Sequence, residues 1–152
     1  MDAKKIYQHL KQKYNLPEFN AINNEFEIST IENEHFFLRE IRRKINDKLS
    51  TLSKFLKQIL FPEADFIDMH ESRAFTDKER EKIYSLFRTI LYLLRQNMLT
   101  AIDETDRKTA DYIKLVWQKW KIIKKESARI IEKSAKSWTK ETELKEELAY
   151  LG

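Results

Sequence analysis

The sequence predicts an all-α fold: an up-down antiparallel bundle of three long helices, with two short N-terminal helices packed alongside, in one domain over residues 1–152. Two features carry this expectation. The first is composition. The only Gly is Gly152 and there are two Pro among 152 residues, so the positive-φ positions that tight hairpins and phosphate-cradling loops use are almost unavailable. The second is periodicity. Apolar residues recur every three or four positions along most of the chain, the spacing of one helix face.

The central element is expected over residues 76–102. Thr76-Asp77-Lys78-Glu79 has the form of a capping box, in which Thr accepts from the N3 amide and Glu reaches back to the cap amide. Ile83, Leu86, Phe87, Ile90, Leu91, Leu93, Leu94, Met98, Leu99 and Ile102 follow. At about 100° per residue they cover roughly half of the cylinder, which predicts a rod covered from two sides.

Asp2 is suited to cap a first short helix reaching about Tyr14, with Ile6, Leu10 and Tyr14 on one face. Leu16-Pro17 interrupts it, because the residue before Pro avoids the helical region. Pro17 is then expected as the first residue of a second short helix that buries Phe19, Ile22 and Phe26. Ser29-Thr30-Ile31-Glu32 reads as another capping box. It would open a long helix through Leu38, Ile41, Ile45, Leu49, Leu52, Leu56 and Ile59 to Phe61-Pro62. The connection over residues 62–74 is acidic and apolar at once, and is expected to hold a helical turn begun by Pro62 and docked by its Phe residues. The last long helix starts near Asp106 and is expected to reach about Lys140. Ile113, Val116, Trp120, Ile123, Ile130, Ile131 and Trp138 form its apolar face. Leu144, Leu148 and Leu151 of the tail either continue it or fold back.

Several function classes are excluded or disfavoured by residue type. With no Cys, thiol nucleophiles, disulfides and Cys-ligated metals cannot occur. With no Gly-rich loop, a P-loop or dinucleotide fingerprint cannot be written. No apolar run approaches the roughly 18 residues of a membrane span, so no membrane partner and a cytoplasmic location are expected. His9, His35 and His70 sit in separate elements and suggest no catalytic arrangement. Glu32-Asn33-Glu34-His35 has the Glu-x-x-His spacing of di-iron bundles but lacks the second pair those sites need. Asp65, Asp68, His70 and Glu71 cluster by type, and a solvated acidic loop accounts for them better than a cation site. No cofactor is expected, and an enzyme is the minority reading.

Charge is the remaining signal. Residues 106–140 hold eleven basic and four acidic residues, 11 − 4 = +7, whereas the rest of the chain carries 18 − 21 = −3. Lys114, Lys121, Lys125, Arg129, Lys133, Lys136 and Lys140 step by 7, 4, 4, 4, 3 and 4 and align along one side of a helix. Trp117 lies between the first two, outside the core arc. Trp138, Leu115 and Ile122 also project from that arc. The leading expectation is a non-enzymatic helical interaction module that binds a protein partner or itself through the last long helix. The alternative is a nucleic-acid-binding protein that uses the Lys/Arg row.

Overall fold

The computed structural model describes residues 2–139. Among these residues there are six α-helices and one short 3-10 turn, with no strand. The three long helices pack against one another. The chain divides into two compact units, residues 2–50 with 92–121 and residues 51–91 with 122–139.

In the first unit, α1 spans Ala3–Tyr14, capped by the Asp2 carboxylate on the amides of Lys4 and Lys5. It ends at Asn15, whose φ of 55° is left-handed, so Asn15 terminates the helix before the Leu16-Pro17 step is reached. The Tyr7 hydroxyl donates to the Pro17 carbonyl at 2.6 Å and fixes the path of that step. The second helix, α2, spans Phe19–Phe26 and buries Phe19, Ile22 and Phe26, the expected face. Its N-cap is Glu18, so Pro17 stands before the cap and is not the first helical residue.

The expected capping box at Ser29 does not form. Glu27 takes a left-handed φ of 53° and the chain makes a 3-10 turn over Ile28–Thr30. The Ser29 amide donates to the Asn23 side chain and the Thr30 hydroxyl to the Glu27 carbonyl. The Ser29 amide, which Glu32 would bond in the box, is thereby drawn into closing α2. The long helix α3 starts later, at Phe37, and runs Phe37–Leu60. Asn33 accepts from the Phe36 amide at 3.2 Å just ahead of it. At 24 residues, α3 is about 36 Å long, shorter than expected.

In the second unit, the 62–74 connection contains a true helix, α4, over Phe66–Arg73. Asp65 caps it by accepting from the Asp68 amide at 2.8 Å, so Asp65 begins this helix and Pro62 does not. Phe75 is buried, but Phe61 and Ile67 are exposed, so only part of the segment's apolar content docks. The Ser72 hydroxyl donates to the Ile59 carbonyl at 2.8 Å, and Arg80 bridges the carbonyls of Ile59 and Ser72. These bonds hold the end of α3 beside the start of α5, Asp77–Ile102, and satisfy carbonyls that a helix end leaves open. The Thr76–Glu79 capping box forms as expected, with each side chain bonded to the other's amide.

The last long helix, α6, spans Asp106–Ser137. Residues 103–105 connect it to α5, a length that returns the chain antiparallel. In the first unit Tyr112, Ile113, Val116 and Trp120 are buried on it, and in the second Ile123, Ser127 and Ser134. Ile131 and Trp138, expected in its apolar face, are exposed. At about 100° per residue Ile131 shares its angle with the buried Ile113, eighteen residues earlier, so its exposure comes from what packs at that level of the helix and not from its angle. Lys140 and the tail of residues 141–152 lie outside the described residues. No helix among the described residues is long and apolar enough to cross a membrane.

Candidate interaction surface

The basic row occurs on α6 largely as its spacing implies. Lys121, Lys125, Arg129 and Lys136 are exposed, and Lys114 and Lys133 are half-buried. Their shared side is opposite the buried arc around Trp120 and Ile123. Trp117 is half-buried.

The row is not a bare stripe of charge. Lys114 faces Asp111 at 3.6 Å, Arg129 faces Glu126 at 3.3 Å and Lys136 faces Glu132 at 3.1 Å, all one turn apart on α6. Lys133 leaves the row and reaches α5, where it donates to both oxygens of Glu79 at 2.7 and 2.6 Å. The same carboxylate caps α5. Hydrogen bonding by Lys133, then by the Thr76 amide, pulls Glu79 down to about 2. Sequence spacing finds the cations of this row, whereas their partners on a neighbouring helix depend on packing.

The densest exposed apolar surface lies elsewhere. On the C-terminal half of α5, within the first unit, Tyr92, Met98, Leu99 and Ile102 are 50, 55, 62 and 80% exposed. With Arg95 they fall within an arc of about 120°, opposite the buried Leu93, Leu94 and Asn97. The expectation that this helix is covered along its whole apolar arc is therefore wrong in its last three turns. Its sequence there is apolar on both sides, and the first unit covers only one. By contrast, the exposed apolar residues of α6, Ile122 and Ile131, point to different sides of that helix and make no continuous face.

Beneath this face, Arg42 donates to both oxygens of Glu104, at 2.8 and 3.0 Å, and to the Asn97 side chain at 2.8 Å. Thr109 donates to the same Glu104 at 2.8 Å. Burial pushes the Glu104 carboxyl up, but the hydrogen bonds from Arg42 and Thr109 and the charges of Arg42 and Arg39 outweigh it and hold it below the usual range. Asn97 therefore presents its polar side inward, which locks the rotation of α5 and turns Leu99 and Ile102 outward. Nothing in the local sequence around Asn97 signals this pairing, since Arg42 lies 55 residues away.

Two of the three histidines come together. His9 and His35 line one open hollow of about 400 Å³ with Lys5, Glu34 and Asp106. The third, His70, lies in the other unit, with its ring 4.0 Å from that of Trp138 and its Nε2 3.0 Å from the Ser137 carbonyl oxygen. This contact ties α4 to the end of α6 and engages Trp138 on one side. Of the acidic cluster, Asp65 caps α4 and Glu71 accepts from Ser134 of α6, while burial and then the charges of Asp65, Glu63 and Glu71 push the Asp68 carboxyl up. Among the described residues no three His, Asp or Glu side chains converge as ligands of one metal ion.

Comparison with protein-family models, with curated proteins and with solved structures returns no match.

Proposed function

We propose that this chain is a non-enzymatic helical interaction module, and that its contact face is the outward side of the C-terminal half of α5. One observation carries the reading: Tyr92, Met98, Leu99 and Ile102 share one exposed arc with a single cation, Arg95, among them. An apolar patch of this kind on a helix favours a partner helix that lays its own apolar seam along it. Tyr and Arg are also residue types that anchor interfaces. The complementary partner is an amphipathic helix with acidic flanks, because Arg95 sits within the apolar stripe. Placing the face on α5 replaces the assignment to α6, where Trp117 is half-buried and the exposed apolar residues diverge.

The nucleic-acid reading has less support. Four cations of the basic row already face carboxylates, and each such pairing reduces the charge available to displace counterions from phosphates.

The test is the Leu99→Glu/Ile102→Glu double variant. Both positions face solvent, so stability should move by less than about 0.5 kcal/mol for each. Affinity for a labelled amphipathic peptide, with Leu at i, i+4 and i+7 and Glu between, should fall at least tenfold by fluorescence anisotropy. Equal affinity for wild type and variant, or no saturable binding by wild type, overturns the proposal.

A further inference from the structure

We infer that the groove between α5 and α6 within the second unit binds a small amphipathic monocarboxylate, its apolar body on Phe75, Ile83, Leu86 and Ile130 and its carboxylate between Lys82 and Arg129. Each wall supplies four residues at one spacing. On α5 they are Glu79, Lys82, Ile83 and Leu86, and on α6 Glu126, Arg129, Ile130 and Lys133. Positions i, i+3, i+4 and i+7 share one helix face, so each wall is a continuous row. Phe75, just ahead of the α5 cap, lines the same hollow, whose volume is about 230 Å³. That is the space of about eight waters, enough for a ligand of roughly ten non-hydrogen atoms and too little for a nucleotide.

The two rows are antiparallel, and Lys133 fixes their register by donating to both Glu79 oxygens at 2.7 and 2.6 Å. This pair closes one end of the groove, with the Lys133 ammonium 5.5 Å from the centre of the Phe75 ring. Inward from that end, the register sets Lys82 opposite Ile130 and Ile83 opposite Arg129. A cation thus stands on each wall beside an apolar side chain. Phe75, Ile83 and Leu86 are buried and give the groove a hydrocarbon floor, which an ion without an apolar body would not use. Charge selects the head of the ligand. The lining holds three cations and two carboxylates, 3 − 2 = +1. Lys133 is committed to Glu79. Arg129 faces Glu126 at 3.3 Å with 69 and 37% of the two side chains exposed, so water screens that pair and the guanidinium keeps donors to share. Lys82 is exposed and, among the described residues, is the lining cation that faces no carboxylate. One negative charge completes the rim, and a carboxylate can take paired donors from Arg129 and a further one from Lys82.

The experiment titrates the full chain with sodium octanoate by isothermal calorimetry. The wild type should bind one octanoate with a dissociation constant of about 0.1 mM. Hexanoate should bind about tenfold more weakly, because each buried methylene is worth up to about fourfold. Octylamine, with the same body and the opposite charge, should also lose at least tenfold. Lys82→Glu, at an exposed position, should weaken octanoate at least fivefold with an unchanged melting temperature, and Lys82→Arg should keep it within twofold. Ile130→Trp fills the groove and should abolish binding. Leu99→Glu, in the apolar face of the other unit, should leave octanoate affinity unchanged. No saturable binding by the wild type overturns the inference, as does equal affinity for octanoate and octylamine or undiminished affinity in Lys82→Glu. If Leu99→Glu abolishes octanoate binding and Ile130→Trp does not, the ligand sits on the α5 face, and the groove loses its assignment while that face keeps its own.

Discussion

In the unit of residues 2–50 and 92–121, Glu104 meets Arg42 with only 9% of its side chain exposed. In the unit of residues 51–91 and 122–139, Glu79 meets Lys133 with 36% exposed. Both are carboxylates gripped through two oxygens by a cation from a helix distant in sequence, and both are held below their usual titration range. Their consequences differ because water is present at one and nearly absent at the other. At Glu104 the charge depends on protein donors alone, so Arg42, Asn97 and Thr109 must hold one geometry. At Glu79 solvent screens the pair and substitutes for either partner. The first pair therefore fixes the rotation of α5 and the outward face it presents, while the second adds an adjustable tie beside a helix cap.

Replacing one member of each pair should break this symmetry of form. Glu104→Ala leaves Arg42 buried without its counter-charge and should cost about 3–5 kcal/mol by chemical denaturation. Arg42→Met should cost a similar amount, and a loss below about 1 kcal/mol in either would show that water reaches the pair. In the second unit, Arg80→Met removes the cation that spans the carbonyls of Ile59 and Ser72, and should cost about 1.5 kcal/mol. Thr76→Ala deletes the α5 cap and should cost about 1 kcal/mol. Lys133→Met should cost between about 0 and 1 kcal/mol, with the difference from wild type shrinking in salt.

Acid sharpens the comparison further. Glu79 binds its proton near pH 2 in the folded chain, below the unfolded value of 4.5. Its contribution is thus complete above about pH 4.5 and is lost as pH falls towards about 2, because the unfolded chain takes up the proton first. Glu104 is also lowered, so its contribution has the same sign. Unfolding midpoints measured from pH 5 down to pH 2 should drop steeply in wild type and less steeply in Lys133→Met. Parallel curves for the two would mean that Lys133 does not set the Glu79 titration.

Helix order, the Thr76 cap and the buried face of α2 are legible in the chain itself, whereas α1 buries Ala3, Tyr7 and Tyr14 and leaves the expected Ile6 and Leu10 half-buried. Each legible feature depends on spacing within a dozen residues, which local backbone geometry reads directly. The Ser29 box is the instructive miss. Its residues match the pattern, yet Asn23 and Glu27 lie close enough to claim the same donors for the end of α2. Two helix ends compete there, and a pattern match cannot decide between them. The α4 helix shows the converse, since Asp65 caps it inside a stretch whose Pro62 draws attention first.

The candidate surface divides in the same way. The row from Lys114 to Lys136 could be counted along one helix. Its loss of Lys133 to Glu79 could not, because those residues are 54 positions apart. The apolar content of α5 was equally visible, but not which half of it would stay uncovered.

By itself the sequence determined that this chain would be helical, where most of its rods would lie and which of them would carry the positive charge. Those properties follow from residue type and a 3.6-residue period, both of which act locally. Only the tertiary structure decided that Arg42 would reach Glu104 and Asn97. That choice turns one side of α5 inward and leaves Tyr92, Met98, Leu99 and Ile102 facing water. A buried charge must find its partners wherever the fold brings them, and the rotation of the helix follows from that constraint.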